Sequence, residues 1–191
     1  MRAALVFFAL AGCNQILGIP EVELETCVSP TVTQPGYGTV NFTGGTAVND
    51  LSTRITLRAN LDQAARPDRF QLELFDGSSF GGVDMDPVPG VYSITDTEVN
   101  YRTCGICARI FTNVDAGGVG VHIYMAESGT LRLTSTVGRL TGSIEGATFR
   151  EVDIDPAANF ETTNNPSNCK TTVTRAEFDF PLIDGGGLDA L

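Results

Sequence analysis

Ala108-Arg109-Ile110-Phe111-Thr112-Asn113-Val114-Asp115-Ala116-Gly117-Gly118-Val119-Gly120-Val121-His122-Ile123-Tyr124-Met125 is the stretch that decides the fold class. Ala108, Ile110, Thr112 and Val114 recur at every second position, Asp115 to Gly118 supply turn residues, and Val119, Val121, Ile123 and Met125 resume the alternation. Successive side chains of an extended chain point to opposite faces, so each set of four predicts one buried row of a strand. Two such rows joined by a Gly-rich turn predict an antiparallel hairpin. On this reading Phe111, His122 and Tyr124 point the other way, either onto one exposed face or against a second layer.

The same period repeats on both sides of the hairpin. Upstream, Ile55, Leu57 and Ala59 face one way against Arg54, Thr56 and Arg58, and Phe70, Leu72 and Leu74 form the next row. Downstream come Leu131 and Leu133, then Leu140 and Ile144, with turns at Glu127-Ser128-Gly129 and Val137-Gly138. Phe149 and Val152 break parity between Ala147 and Ile154, which predicts a bulge, because one extra residue restores the inward face. The last row is Ala176, Phe178, Phe180 and Leu182, opposed by Arg175, Glu177 and Asp179. Only Leu61 to Arg66 has room for a helical turn, and Pro67 disfavours helical geometry before it. Many strands without helices predict an all-β fold, a single mainly antiparallel β-sandwich or barrel-like domain. The expected boundaries are a leader over 1–12, a tether over 13–26, the β domain over 27–183 and a tail over 184–191.

Twelve Lys and Arg against 23 Asp and Glu give a formal charge of −11, and 21 glycines with no tryptophan suit a turn-rich β protein. A surface this acidic repels phosphate backbones, and no basic stripe is present, so nucleic acid is excluded as a partner. Anionic lipid surfaces are poor partners for the same reason.

Cys104-Gly105-Ile106-Cys107 is a C-x-x-C. Such a pair carries redox chemistry when one thiol sits at a helix N-terminus, where the dipole stabilises thiolate. Here an alternating, strand-like run follows, so a structural bridge at a strand entrance is expected, with exported thiol-disulfide exchange as the alternative. A four-thiolate zinc site normally pairs two such units, and one exists. Gly77-Ser78-Ser79-Phe80-Gly81 matches G-x-S-x-G, but the sequence after it, through Pro87 and Pro89, cannot supply the helix of a nucleophile elbow. The sole histidine, His122, is expected on a strand. Asp76, Asp84 and Asp86 gather oxygen ligands near Gly77 without the spacing of a calcium loop. Glu145, Glu151 and Asp153 could supply paired carboxylates for glycoside chemistry, with ion pairing to Arg150 as the plainer reading. No cofactor or metal is implied, and no catalytic residue is assigned.

The chain opens Met1-Arg2, runs apolar from Ala3 to Leu10, and reaches Leu10-Ala11-Gly12-Cys13. A secretory leader has a positive start, about 7 to 15 apolar residues and a small-residue cleavage site. The apolar run falls short of the roughly 18 residues that span a bilayer. Leu10-Ala11-Gly12-Cys13 resembles the lipobox of bacterial lipoproteins, and Gly12-Cys13-Asn14-Gln15-Ile16-Leu17-Gly18-Ile19 is similar to the openings of lipoproteins of myxobacterial type, most of them without assigned function. The resemblance implies cleavage before Cys13, lipid on Cys13 and attachment to a membrane of the cell envelope. Asn14, where an aspartate would retain the protein at the inner membrane, points to the outer membrane. Two or three acyl chains are needed for a stable anchor, since one binds only marginally. Removal of Arg2 with the leader changes the formal charge from −11 to −12.

With Cys13 lipidated, Cys27, Cys104, Cys107 and Cys169 remain in an oxidising compartment, where two disulfides are the default. Four cysteines allow three pairings, and the sequence does not choose. Cys104 with Cys107 and Cys27 with Cys169 are favoured, the first as local and the second as tying the amino-terminal segment to the last strand. The expectation is thus a lipid-anchored envelope lipoprotein, a non-catalytic structural or binding module. Its protein or glycan partner is unassigned. A thiol-disulfide oxidoreductase and a carbohydrate-binding or hydrolysing module are the alternatives.

Overall fold

The computed structural model describes residues 36–42, 44–50, 54–75 and 88–185. Among them the chain is all-β. It forms one mixed sheet of ten strands: β1 (Thr39–Asn41), β2 (Gly45–Asp50), β3 (Arg54–Asn60), β4 (Arg69–Phe75), β5 (Gly90–Ile94), β6 (Ile106–Phe111), β7 (Ile123–Ser135), β8 (Arg139–Asp155), β9 (Glu161–Asn164) and β10 (Lys170–Asp184). Among the described residues, short 3-10 turns at Asp96–Val99 and Pro156–Ala158 are the helical pieces. The leader, the tether, Cys13, Cys27, the G-x-S-x-G run with Asp84 and Asp86, and the tail beyond Gly185 lie outside the described residues.

Eight of the ten strand pairings are antiparallel; β10 runs parallel to β1 and to β2. Those parallel contacts matter for closure. Pairing runs from β2 through β3, β4, β6, β7 and β8 to β10, and β10 pairs β2 again, so seven strands form a circuit. A strand in such a circuit has partners for backbone groups on both sides. β1, β5 and β9 are added outside it, against β10, β7 and β8 respectively.

The principal core lies on one face of this sheet. It joins Ile55 and Leu57 of β3, Phe70, Leu72 and Leu74 of β4, Ile106, Ala108 and Ile110 of β6, and Ala176 and Phe178 of β10. Apart from Ile106 these belong to the rows that period-two alternation predicts, while Thr112 and Val114 of the expected row lie outside this cluster, and Phe70 meets Phe149 edge-on at 6.5 Å between ring centres. Buried side chains of this size contribute roughly 1.5 to 3 kcal/mol each. The hairpin turn forms as expected, with Gly118 N donating to Asp115 O at 3.0 Å and the Asp115 carboxylate accepting from Val119 N at 2.9 Å.

The second half of the hairpin is shifted from its expected register. Tyr124 and Ala126 face the core, whereas Ile123 and Met125 join a separate cluster and Val119 and Val121 are exposed. Phe111 pairs across from Ile123, while Tyr124 pairs with core-facing Ile110, so Phe111, His122 and Tyr124 do not share one exposed face. Further along β7 the core row changes to Leu131 and Leu133, which requires extra residues in the ladder. Gly129 at φ +143° and Gly146 at φ +57° take backbone conformations that L side chains rarely adopt, and the register between β7 and β8 slips beside them. β8 correspondingly switches from Leu140 and Ile144 to Ala147 and Phe149. β10 switches from Val173 to Ala176, where Thr174 N and Arg175 N both donate to Gly38 O. The three longest strands therefore change parity together, and the bulge expected between Ala147 and Ile154 lies earlier, at Gly146. The stretch Leu61–Arg66 makes bends in place of a helical turn, closed by the Asp62 carboxylate on Ala64 N and Asp68 N.

Candidate functional site

The sequence pointed to C-x-x-C, and the structure places it under a strap. Residues 95–105 cross the outer face of β4, β6 and β7, where Phe75, Val99, Tyr101, Cys104, Cys107, Met125 and Val152 form a second apolar cluster. Cys104 and Cys107 are joined by a disulfide at the start of β6, with Cα atoms 5.3 Å apart. The two residues are 1% and 0% exposed, which denies an attacking thiolate the access that exchange requires. The arrangement suits a staple that holds the strap to its strand.

The same turn is capped by a carboxylate. Glu98, buried in the 3-10 turn, accepts from Gly105 N and Ile106 N, both at 2.9 Å. Burial raises its pKa above the ordinary carboxyl range, and the two N–H donors oppose that rise. Beneath the strap, Glu73 of β4 and Arg109 of β6 form an ion pair at 2.6 Å with both side chains almost fully covered. The guanidinium lies 3.9 Å from the centre of the Tyr101 ring and 5.1 Å from that of Phe111. Arg54 adds a longer contact to Glu73 at 3.4 Å. Burial also raises the Tyr101 hydroxyl pKa, with the Arg109 charge opposing it. Glu73 and Arg109 lie between the core-facing residues of β4 and β6, on a face that nothing local marks as covered.

At the start of β7 lies a second polar group. His122 Nδ1 donates to Glu151 Oε1 at 2.7 Å, and the hydroxyl of Ser167 donates to Glu151 Oε2. The Glu151 side chain is 5% exposed and that of His122 is 40% exposed. Serine and histidine thus flank the carboxylate on opposite oxygens. In nucleophilic catalysis the imidazole must stand between hydroxyl and carboxylate to take the hydroxyl proton, and here it does not. The network instead ties the head of β7, the strand β8 and the turn before β10. Nearby, Tyr37 donates to Asp68 at 2.6 Å, and Asp68 accepts from Asn113 N at 2.8 Å. Burial, with Glu151 and Asp68 adding to it, pushes the Tyr124 hydroxyl up to about 12.

The carboxylates named from sequence are separated in role. Glu151 faces His122, Glu145 pairs with Arg175 at 2.7 Å, and Asp153 accepts from the Asn165 amide at 2.9 Å. Arg150 pairs with Glu127 at 3.4 Å, as ion pairing would have it, although its expected acidic partners were on its own strand. Cys169 is buried beside the core and disulfide-bonded. Among the described residues no group of three or more His, Cys, Asp or Glu is placed to hold a metal ion. No helix among them is long and apolar enough to cross a membrane.

A shallow groove of about 450 Å³ opens elsewhere, on the outer face of β7, β8, β10 and the end of β1. Its residues meet only when β1 is aligned beside β10 and β10 beside β8, a register that no local pattern marks. Comparison of the chain with protein-family models, with curated proteins and with solved structures gives no match.

Proposed function

We propose that this protein is a bacterial envelope lipoprotein, lipidated on Cys13 and held at the outer membrane, whose β domain acts through its surface as a structural or binding module. The observation that carries the reading is Leu10-Ala11-Gly12-Cys13 after a short apolar leader. Two features of the folded domain support it. The Cys104–Cys107 bridge suits a compartment where disulfides persist. The arrangement of Ser167, Glu151 and His122 suits bracing in preference to acyl transfer. We further infer that Cys27 is the partner of Cys169. Tyr37 N donates to Thr172 O at 2.8 Å, which brings the chain that follows Cys27 alongside the strand that follows Cys169. A lipidated Cys13 is chemically barred from that bridge.

Growth of expressing cells with labelled palmitate tests the anchor. The wild-type protein is expected to carry label into the membrane fraction, and Cys13→Ser to lose the label and most membrane association while keeping its fold. Equal labelling of the two, or none of either, would overturn the reading.

A further inference from the structure

One apolar row of the sheet runs out from under its cover. The strap buries Met125 and half-buries Ile123 on β7, and the same alternating row continues into Val121 and Val119, which are 56% and 67% exposed. Ile123 pairs with Val152, so the antiparallel register carries the turn after β8 level with these two valines. Phe160 on that turn is 38% exposed and stands edge-on to Tyr101 at 6.1 Å. Its φ of +61° follows Asn159 at +56°, a backbone region that a bulky side chain rarely adopts. Two arginines flank the row. The Arg69 guanidinium neighbours Gly118 at the hairpin tip, and Arg66 is exposed on the bend whose Pro67 O accepts from Val114 N at 3.0 Å. Neither side chain makes an ion pair or a hydrogen bond among the described residues. The acids at this end are turned onto backbone: Asp62 accepts from Ala64 N and Asp68 N, Asp115 from Val119 N, and Asp155 from Ala157 N. The chain also enters here, since Tyr37 N donates to Thr172 O near the start of β10 and the Tyr37 hydroxyl donates to Asp68.

We propose that this end of the domain seats on a zwitterionic phospholipid bilayer, with Val119, Val121 and Phe160 at the headgroup boundary and Arg66 and Arg69 on lipid phosphates. The proposal rests on the reading that Cys13 carries lipid, and it assigns the face that the domain turns to the membrane. Residues 13–35 join the domain at this end, so the anchor draws this end, and not the turn at Val137, toward the bilayer. With Cys27 bridged to Cys169, residues 14–26 alone separate lipid from domain, a reach of at most roughly 45 Å. Aromatic and aliphatic side chains on a turn enter the boundary between headgroups and acyl chains, while arginine keeps its charged head at the polar level. A headgroup that carries phosphate and ammonium meets a corner with both signs of charge, whereas a formal charge of −11 opposes an anionic surface. Two valines and one ring offer little to a protein partner, which needs about 20 to 30 residues a side.

The chain has no tryptophan, so Val119→Trp, Phe160→Trp and Val137→Trp each place a single emitter in the lipidated full protein. In vesicles of phosphatidylcholine with brominated acyl chains, Val119→Trp and Phe160→Trp are expected to shift to the blue and to lose most of the emission seen in unbrominated vesicles. Val137→Trp, beyond the far end of β7, a strand of 13 residues, is expected to lose none. Arg66→Glu combined with Arg69→Glu should restore most of the Val119→Trp emission while the circular dichroism of the domain stays unchanged. Equal quenching at all three positions, or none at Val119→Trp, would overturn the proposal. Quenching that requires an added anionic lipid would do the same, as would a blue shift that grows with protein concentration in lipid-free detergent, the mark of a second copy on this surface. Palmitate labelling of each variant reports the anchor by itself. Labelled protein whose Val119→Trp is unquenched fails the proposal alone, and unlabelled protein fails the reading of Cys13 and the proposal with it.

Discussion

The two faces of the sheet are buried by different means. The inner face is a continuous apolar core contributed by nearly every strand, and its side chains come from sites far apart in the chain. The outer face of β4, β6 and β7 is covered by the single strap at 95–105, which places a disulfide, a carboxylate cap and a charged pair among a few apolar side chains. The contrast teaches that burial need not mean hydrophobic burial. A face that keeps its charges needs each one partnered, since an unpartnered buried charge costs several kcal/mol.

Removing one large inner side chain should have the greatest effect. Phe149→Ala is expected to cost about 4 kcal/mol, from lost transfer energy and the cavity left behind, in urea unfolding followed by circular dichroism. On the outer face, Glu73→Ala should cost about 3 kcal/mol by stranding Arg109, and replacing the pair together, as Glu73→Leu with Arg109→Met, should cost much less. Additive losses in that double variant would show that the strap does not isolate the charges from water. Replacing Cys104 and Cys107 together by Ala closes no loop in the unfolded chain and should cost about 2 kcal/mol, the entropy of a very short loop.

The smallest effect is the one with a pH signature. Because burial raises the folded pKa of Glu98, folding favours its protonated form. That stabilisation is complete below the ordinary carboxyl range of the unfolded chain and is lost as pH rises through the raised value. Glu98→Gln keeps an oxygen for Gly105 N and Ile106 N without the charge. It is expected to match or exceed the wild type by up to about 1 kcal/mol near neutral pH, with the advantage disappearing in acid. A variant less stable than wild type at neutral pH by more than that would assign the cap an ionic role.

How far the sequence could be read follows the same division. Rows on β3, β4 and, from Ala176 onward, β10 obey period two because one face meets the core, and the turn at Asp115 to Gly118 is set by local chemistry. The row on β7 was displaced because Ile123 and Met125 are apolar for the sake of the strap, so both faces of that strand read alike. Parity shifts at Gly129 and Gly146 depend on pairing between long strands and leave only isolated glycines as a mark. Closure of the circuit rests on three residues of β2 beside the end of β10, a contact between distant parts of the chain. The bridge at Cys104 and Cys107 was legible from spacing, whereas the pairing of His122 with Glu151 exists only once the strands are aligned.

Intact-mass spectrometry of the protein extracted from membranes tests the central claim most directly. The account predicts a chain beginning at Cys13, heavier by a diacylglycerol group and an amide-linked acyl chain, and lighter by the four hydrogens of two disulfides. A mass that begins at Met1 with all five cysteines reduced would contradict the export, the anchor and the pairing together.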